Sequence, residues 1–171
     1  EGLEAALEGG EALLDELQEK IIGFKGDEVV YMSVGDGTTS EGEWWEALNT
    51  ACNLKLPVIF VVVNNGWAIS VPAAAQTGAA TFAQKGIAGG VPGVQVDGND
   101  VIGVRAVMQD ALDRARQGGG ATVVEAITYR LSDHTTADDA SRYRPAAELA
   151  DAWTKEPLLR MRRYLENCGY W

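Results

Sequence analysis

The feature that most constrains the fold is an uninterrupted apolar run, Pro57-Val58-Ile59-Phe60-Val61-Val62-Val63, closed by Asn64-Asn65-Gly66. A strand with one wet face alternates apolar and polar residues. A run without a polar position needs cover on both faces, as a central parallel strand has. The neighbouring patterns agree. Residues 29–34 form a short β-rich run ended by Gly35, Val94-Gln95-Val96 reads as a third strand and residues 121–127 as a fourth. Between them, Ser40 and Glu43 make a capping box for a helix reaching about Leu54, residues 81–88 a weaker helix, and Asp100 a cap for a helix through Arg116 that Gly118-Gly119-Gly120 breaks. Ahead of the first strand, Leu3, Leu7, Leu13, Leu14, Leu17 and Ile21 recur at helical steps over residues 3–22, with Gly23 and Gly26 as the stop. Repeated strand–helix units predict an α/β fold with a mostly parallel central sheet and right-handed crossovers. No repeat or low-complexity linker divides the chain, so residues 1–171 read as one domain. Its helical tail starts at about residue 145, with helices over 146–153 and 157–168.

Composition excludes several functions. A formal charge of −11 opposes phosphate-backbone binding, which needs clustered Lys and Arg, so no nucleic-acid partner is expected. Two cysteines, Cys52 and Cys168, are too few for a disulfide scaffold, and Cys52 reads as a buried free thiol. The single histidine makes a zinc hydrolase a poor fit. The apolar run over 57–63 falls far short of the roughly 20 residues that span a bilayer. The expectation is a soluble, cytoplasmic protein with no membrane partner.

In parallel sheets ligands sit beyond the carboxyl ends of the strands, and residues 35–42, 64–70 and 132–144 emerge there. In Gly35-Asp36-Gly37-Thr38-Thr39-Ser40, glycines allow close backbone approach and the following helix start offers N–H groups to an anion. An acid in such a loop repels a phosphate unless a cation lies between them. Magnesium, which prefers oxygen ligands and bridges protein oxygens to phosphates, supplies that cation, with Asp36 as a ligand. Alone, Gly-Asp-Gly is as well explained as a turn, and so is Asn64-Asn65-Gly66. Together they are more specific, because one strand–helix–strand unit fits between Asp36 and Asn65 and puts both on one sheet edge. The Asn65 amide oxygen adds a neutral ligand, and a loop carbonyl near Trp67 a third.

These motifs resemble the thiamine-diphosphate signature, a Gly-Asp-Gly start closed by Asn-Asn. The longer string from Gly35 through Glu41-Gly42-Glu43-Trp44-Trp45-Glu46-Ala47-Leu48-Asn49 to Ala51 is similar to the alpha subunit, or alpha portion, of 2-oxo acid dehydrogenases. So are Lys55-Leu56-Pro57, Asn65-Gly66-Trp67-Ala68-Ile69-Ser70, Pro92-Gly93-Val94-Gln95-Val96-Asp97-Gly98, Asp133-His134-Thr135-Thr136-Ala137-Asp138-Asp139 and Tyr143-Arg144. The resemblance covers about residues 27–171. It implies a three-layer thiamine-diphosphate-binding fold, N-terminally truncated, with magnesium held by Asp36, Asn65 and the Trp67 carbonyl. Gly35, Gly37, Thr38, Thr39, Ser40, Glu41, Ala68 and Ile69 are then expected along the diphosphate. His134 is expected as a catalytic and cofactor-side residue in the loop over the thiazolium, with Thr135 where animal relatives carry a phosphorylated hydroxyl.

The same resemblance implies oxidative decarboxylation of a 2-oxo acid, pyruvate slightly ahead of branched-chain acids, with acyl transfer to a lipoyl-bearing acyltransferase. The Glu that activates the cofactor is expected on a beta subunit or beta portion, in a heterotetramer or a fused-chain dimer. An upstream segment with an Arg for the diphosphate and substrate-side histidines is missing, so the isolated chain is expected to be inactive. The competing reading is a non-catalytic binding or assembly module of the same fold. A Rossmann dehydrogenase lacks its Gly-x-Gly-x-x-Gly here, and a nucleotide hydrolase its Gly-Lys-Ser/Thr loop.

Residue chemistry adds to this independently. His134 sits among Ser132, Asp133, Thr135, Asp138 and Asp139, a polar setting that keeps an imidazole hydrated or hydrogen-bonded. Residues 132–144 read as a mobile polar loop held by Asp138 and Asp139, with Arg142 or Arg144 as their partners. Trp44, Trp45 and Trp67 read as core or interface packing rather than cofactor stackers.

Overall fold

The computed structural model describes residues 26–171, so the helix expected over 3–22 lies outside the described residues. Strand β1 is Val30–Gly35, a 3-10 turn spans Asp36–Ser40, and helix α1 is Gly42–Asn53. Strand β2, Val58–Asn64, leads into a small ribbon of β3, Trp67–Ala68, and β4, Val71–Pro72. Helices α2, Ala73–Gln76, and α3, Ala83–Ala88, precede β5, Gly93–Asp97. Helix α4, Val101–Arg116, and β6, Thr122–Ile127, complete the sheet, and α5, Ala146–Trp153, and α6, Pro157–Asn167, form the tail.

The sheet order is β1-β2-β6-β5, every pair parallel. The apolar run does what its pattern demands: Phe60 and Val62 point to one face, Ile59 and Val61 to the other. On the first face they meet Trp44 and Leu48 of α1, with Phe82, and Trp44 stands edge-on to Phe60 at 5.6 Å between ring centroids. On the second they meet Ala111, Val107, Met108 and Leu112 of α4. Helices on both faces give three layers. Leu48 is fully buried on this seam, and Leu48→Ala there costs about 2–5 kcal/mol by cavity formation.

The unit β1–α1–β2 steps one way across the sheet with its helix on the first face. The unit β5–α4–β6 steps back with its helix on the second, so the two crossovers share one hand. They converge on β2 and β6, and the crevice beyond those carboxyl ends is where such sheets hold ligands.

Asp100 caps α4 as expected, its Oδ1 accepting from the backbone N–H groups of Ile102 and Gly103. The capping box expected from Ser40 and Glu43 does not form. Helix α1 starts at Gly42 with Glu41 at its N-cap and no side-chain cap bond. The reason lies one turn earlier: the Thr39 hydroxyl donates to the Asp36 carbonyl and the Glu41 N–H to the Thr38 carbonyl. That winds the chain into a 3-10 turn, which Ser40 closes. Cys52 is free but only half-buried, its thiol donating to the Gly90 carbonyl. Trp44 and Trp67 are core residues, whereas Trp45 is exposed.

Candidate functional site

Parallel pairing fixes the first relation of the site. Gly35 lies opposite Val63, so the chains leaving β1 and β2 emerge side by side with Asp36 and Asn64-Asn65 as their first free positions. The turn and the ribbon then close on each other: a Cβ built on Gly37 would lie 2.8 Å from the Ala68 Cβ, which only glycine avoids.

Asp36 is 1% exposed, and among the described residues no Lys, Arg or His pairs with its carboxylate. Among the described residues its one side-chain partner is the Gln76 amide, whose Nε2 donates to Oδ2 at 2.8 Å and to the Val71 carbonyl at 3.2 Å. The Gln76 Oε1 is buried with no partner. An ionised carboxylate in that setting is costly unless a cation offsets it. The remaining oxygens are neutral. Asn65 Oδ1 accepts from the Trp67 N–H at 3.1 Å, and the Trp67 carbonyl from Arg130 at 3.3 Å, each keeping a second lone pair. Among the described residues no group of three or more His, Cys, Asp or Glu side chains can hold a metal. One carboxylate, one amide oxygen and one carbonyl instead suit magnesium shared with phosphate oxygens and water. The residues present therefore fit a magnesium–diphosphate group.

The two asparagines divide their work. Asn64 turns inward: its Nδ2 donates to Glu125 Oε1 at 2.8 Å and its Oδ1 accepts from the Gly66 N–H. Asn65 turns toward the ribbon. Trp67 is buried, and its Nε1 donates to the Tyr129 hydroxyl at 3.3 Å, which donates onward to Glu148 of α5. Burial is the main cause that raises the Tyr129 hydroxyl above its usual value, with the Glu148 carboxylate adding to it. Ile69 follows at φ 55°, a left-handed backbone that a β-branched residue adopts only under constraint.

Arg130 supplies that constraint. Its guanidinium donates to the Ile69 carbonyl at 2.7 Å, the Trp67 carbonyl at 3.3 Å and the Tyr143 hydroxyl at 2.7 Å. The same guanidinium reaches His134 Nδ1 at 3.5 Å, and because guanidinium only donates, Nδ1 accepts. His134 and the Trp67 carbonyl thus share one arginine. The loop around His134 is exposed but tied. Asp138 Oδ2 accepts from the His134 N–H at 2.9 Å and from the Tyr143 hydroxyl at 2.5 Å. The Tyr143 bond, then the His134 bond, hold the Asp138 carboxyl below its usual range, whereas burial and then Asp138 raise the Tyr143 hydroxyl. Asp133 accepts from the Ala140 N–H, and Asp139 caps the 3-10 turn Ala140–Arg142 through the Ser141 N–H.

Asp138 and Asp139 do hold the loop, yet not through Arg142 or Arg144 as expected. Arg144 is spent on the carbonyls of Arg130, Leu131 and Ser132. Those three carbonyls hold the Arg144 guanidinium against residues 130–132, and the Tyr143 hydroxyl bonds Asp138 in its stead.

Of the other expected residues, Gly35 faces open space, Thr38, Ser40 and Glu41 are exposed, and Ala68 packs on Gly37. Thr39 faces inward and is fully buried. An open cleft of about 600 Å³ lies beyond β2 and β6, between Asn65, Thr128, Arg130 and Ser132 on one side and Trp153 and Glu156 on the other. Gln76, Glu125 and Arg130 were not singled out from sequence. Glu125 carried a signal, a lone carboxylate within an apolar strand; Gln76 carried none.

Comparison with known proteins gives three findings. The family model described as dehydrogenase E1 component matches residues 16–171. The chain is 51% identical over 146 residues to the 3-methyl-2-oxobutanoate dehydrogenase subunit alpha of Mycobacterium tuberculosis, covering 85% of this chain and 40% of that one. It is 46% identical over 148 residues to the pyruvate dehydrogenase E1 component subunit alpha of Acholeplasma laidlawii (86% and 43%), and 49% identical over 138 residues to that of Staphylococcus aureus (80% and 37%). The chain spans about two-fifths of the length of these relatives.

Proposed function

The chain belongs to the dehydrogenase E1 component family, and from that premise we propose that it is the alpha part of a thiamine-diphosphate-dependent 2-oxo acid dehydrogenase. The observation that carries this reading is the buried Asp36 carboxylate, unpaired by any described cation, beside Asn65 and the Trp67 carbonyl at two adjacent parallel strand ends. Asp36, Asn65 and the Trp67 carbonyl hold magnesium. Gly35, Gly37, Thr38, Ser40, Glu41, Ala68 and Ile69 line the diphosphate, and Thr39 does so through its backbone. When bound, thiamine diphosphate supplies a nucleophilic carbon and an electron sink for decarboxylation.

The chain's own residues bind and orient. Gln76 aims the Asp36 carboxylate, and Arg130 sets the Trp67 and Ile69 carbonyls while it accompanies His134. With Nδ1 accepting from Arg130, the neutral imidazole of His134 carries its hydrogen on Nε2, which is left to donate a hydrogen bond to the acyl acceptor, a lipoyl arm. The glutamate that activates the cofactor comes from a beta subunit or beta portion. The assembly is a cytoplasmic heterotetramer or fused-chain dimer that delivers its acyl group to a lipoyl-bearing acyltransferase. No described helix is long and apolar enough to cross a membrane.

Pyruvate is the favoured substrate. The 51% identity to a relative named for 3-methyl-2-oxobutanoate supports the branched-chain acid as the second reading. The test is turnover by the full-length protein with its beta partner and a lipoyl acceptor, each acid supplied alone and in competition. Decarboxylation of one or both is expected, with residues 1–171 alone inactive. Cofactor binding without turnover of either acid favours the non-catalytic module, and robust turnover by residues 1–171 alone contradicts the division of the site between two parts.

A further inference from the structure

Two buried charges have no part in the chemistry above. Glu125 lies mid-strand in β6, opposite Val62, and is 1% exposed; Lys85 lies on α3 and is 8% exposed. Neither has an ion-pair partner among the described residues. Burying an ammonium and a carboxylate separately is unfavourable unless hydrogen bonds satisfy each, so their bonds show what they are for.

Glu125 gathers three donors. Oε1 accepts from Asn64 Nδ2 at 2.8 Å, and Oε2 from the Ala83 N–H at 2.9 Å and Gln95 Nε2 at 3.1 Å. The Lys85 Nζ donates to the Thr39 carbonyl at 2.9 Å and the Thr39 hydroxyl at 2.7 Å. The direction is fixed, because that hydroxyl spends its own proton on the Asp36 carbonyl at 2.7 Å. Ala83 and Lys85 belong to the same short helix, α3. That helix is seated tightly on β6: a Cβ at Gly86 would lie 2.8 Å from Val123 Cγ2. One path therefore runs from Asn64 through Glu125 to α3, and from Lys85 through Thr39 to Asp36. It joins the two loops that carry the proposed magnesium ligands. Burial lowers the Lys85 ammonium from its usual value, in keeping with a side chain held by neutral acceptors alone.

We infer that Lys85 and Glu125, joined by α3, are positioning residues that set the spacing between the Asp36 turn and the Asn64-Asn65 turn for a divalent cation and a diphosphate. This rests on the cofactor reading above. A fold needing only packing would be served by apolar residues at both positions, whereas directional bonds at both ends fix a distance.

The test uses the full-length assembled protein carrying Lys85→Met or Glu125→Gln, with Ala111→Gly on the opposite sheet face as a destabilised control. Two quantities are read well below each Tm: the magnesium concentration that half-saturates thiamine diphosphate binding, and amide hydrogen exchange of residues 36–41 and 64–67 without cofactor. Lys85→Met is expected to raise the half-saturating magnesium about tenfold. It is also expected to speed exchange in both loops, including 64–67, which Lys85 does not touch. Ala111→Gly lowers Tm and leaves both readings alone. Half-saturation within twofold of wild type and unchanged exchange at 64–67 overturn the inference. Should both buried-charge variants fail to fold, Gln95→Met removes one donor to Glu125 from an exposed position. A shift of about threefold supports the brace and no shift overturns it. If the wild type itself binds no thiamine diphosphate, the cofactor reading fails, and exchange across the two loops still decides whether the brace couples them.

Discussion

The turn after β1 and the loop over residues 132–144 sit near the same sheet edge and are built in opposite ways. The turn is buried and braced from within: Asp36 and Thr39 are buried and bonded to Gln76 and Lys85, Gly37 abuts Ala68, and β1 and β2 are held in register beneath it. The loop is positioned by side-chain hydrogen bonds on an exposed surface, with Asp133, Asp138, Asp139 and Arg144 binding its own backbone and Tyr143 the Asp138 carboxylate. Arg130 is the bridge, reaching the ribbon carbonyls on one side and Tyr143 and His134 on the other. A packed element holds a metal at fixed distances, while a hydrogen-bonded loop opens at small cost and admits a large acceptor. The pairing suits a site that keeps its cofactor and exchanges its acyl partner.

Four changes break or sharpen that contrast. The largest effect is expected from Asn65→Ala in the full-length protein, raising the half-saturating magnesium by about 100-fold or more, since altering even outer-shell partners costs 10–100-fold. Equilibrium dialysis reads it, and tryptic cleavage at Arg142 is unchanged. Next, Gly37→Val forces the turn from the ribbon and costs about 1–3 kcal/mol, read as a lower Tm with weaker cofactor binding. Third, Asp138→Asn removes the charge from two bonds and raises tryptic cleavage at Arg142 about threefold, with magnesium affinity unmoved. The smallest is a pH effect. The Asp138 carboxyl is held below its usual value, so its contribution is fully present above the ordinary carboxylate range and is lost as pH falls through the lowered value. Acid protease cleavage within 132–144 is therefore expected to rise only in strong acid, and earlier than global unfolding.

Much of the packed half was legible in the sequence. The apolar run named the central strand, the glycine and asparagine stops named the strand ends, and Asp100 named its own cap. Ser40 misled because a capping box is a local pattern, while the start of α1 is set by the Thr39 hydroxyl winding the turn before it. The loop half was legible in composition but not in pairing. Asp138 and Asp139 were right as anchors, and their partner is a tyrosine plus backbone because Arg144 is drawn to three carbonyls. Gln76, Lys85 and Glu125 act across 40, 46 and 61 residues of chain, a separation no local pattern encodes.

The central claim is that Asp36 is buried in order to carry a metal that carries a diphosphate. Calorimetric titration of thiamine diphosphate into the full-length protein and its Asp36→Ala variant, with magnesium and with a chelator, tests it most directly. Binding by the wild type only when magnesium is present, and none by Asp36→Ala at an unchanged rate of loop cleavage, is the predicted result. Equal binding with chelator, or binding by Asp36→Ala equal to wild type, would contradict it.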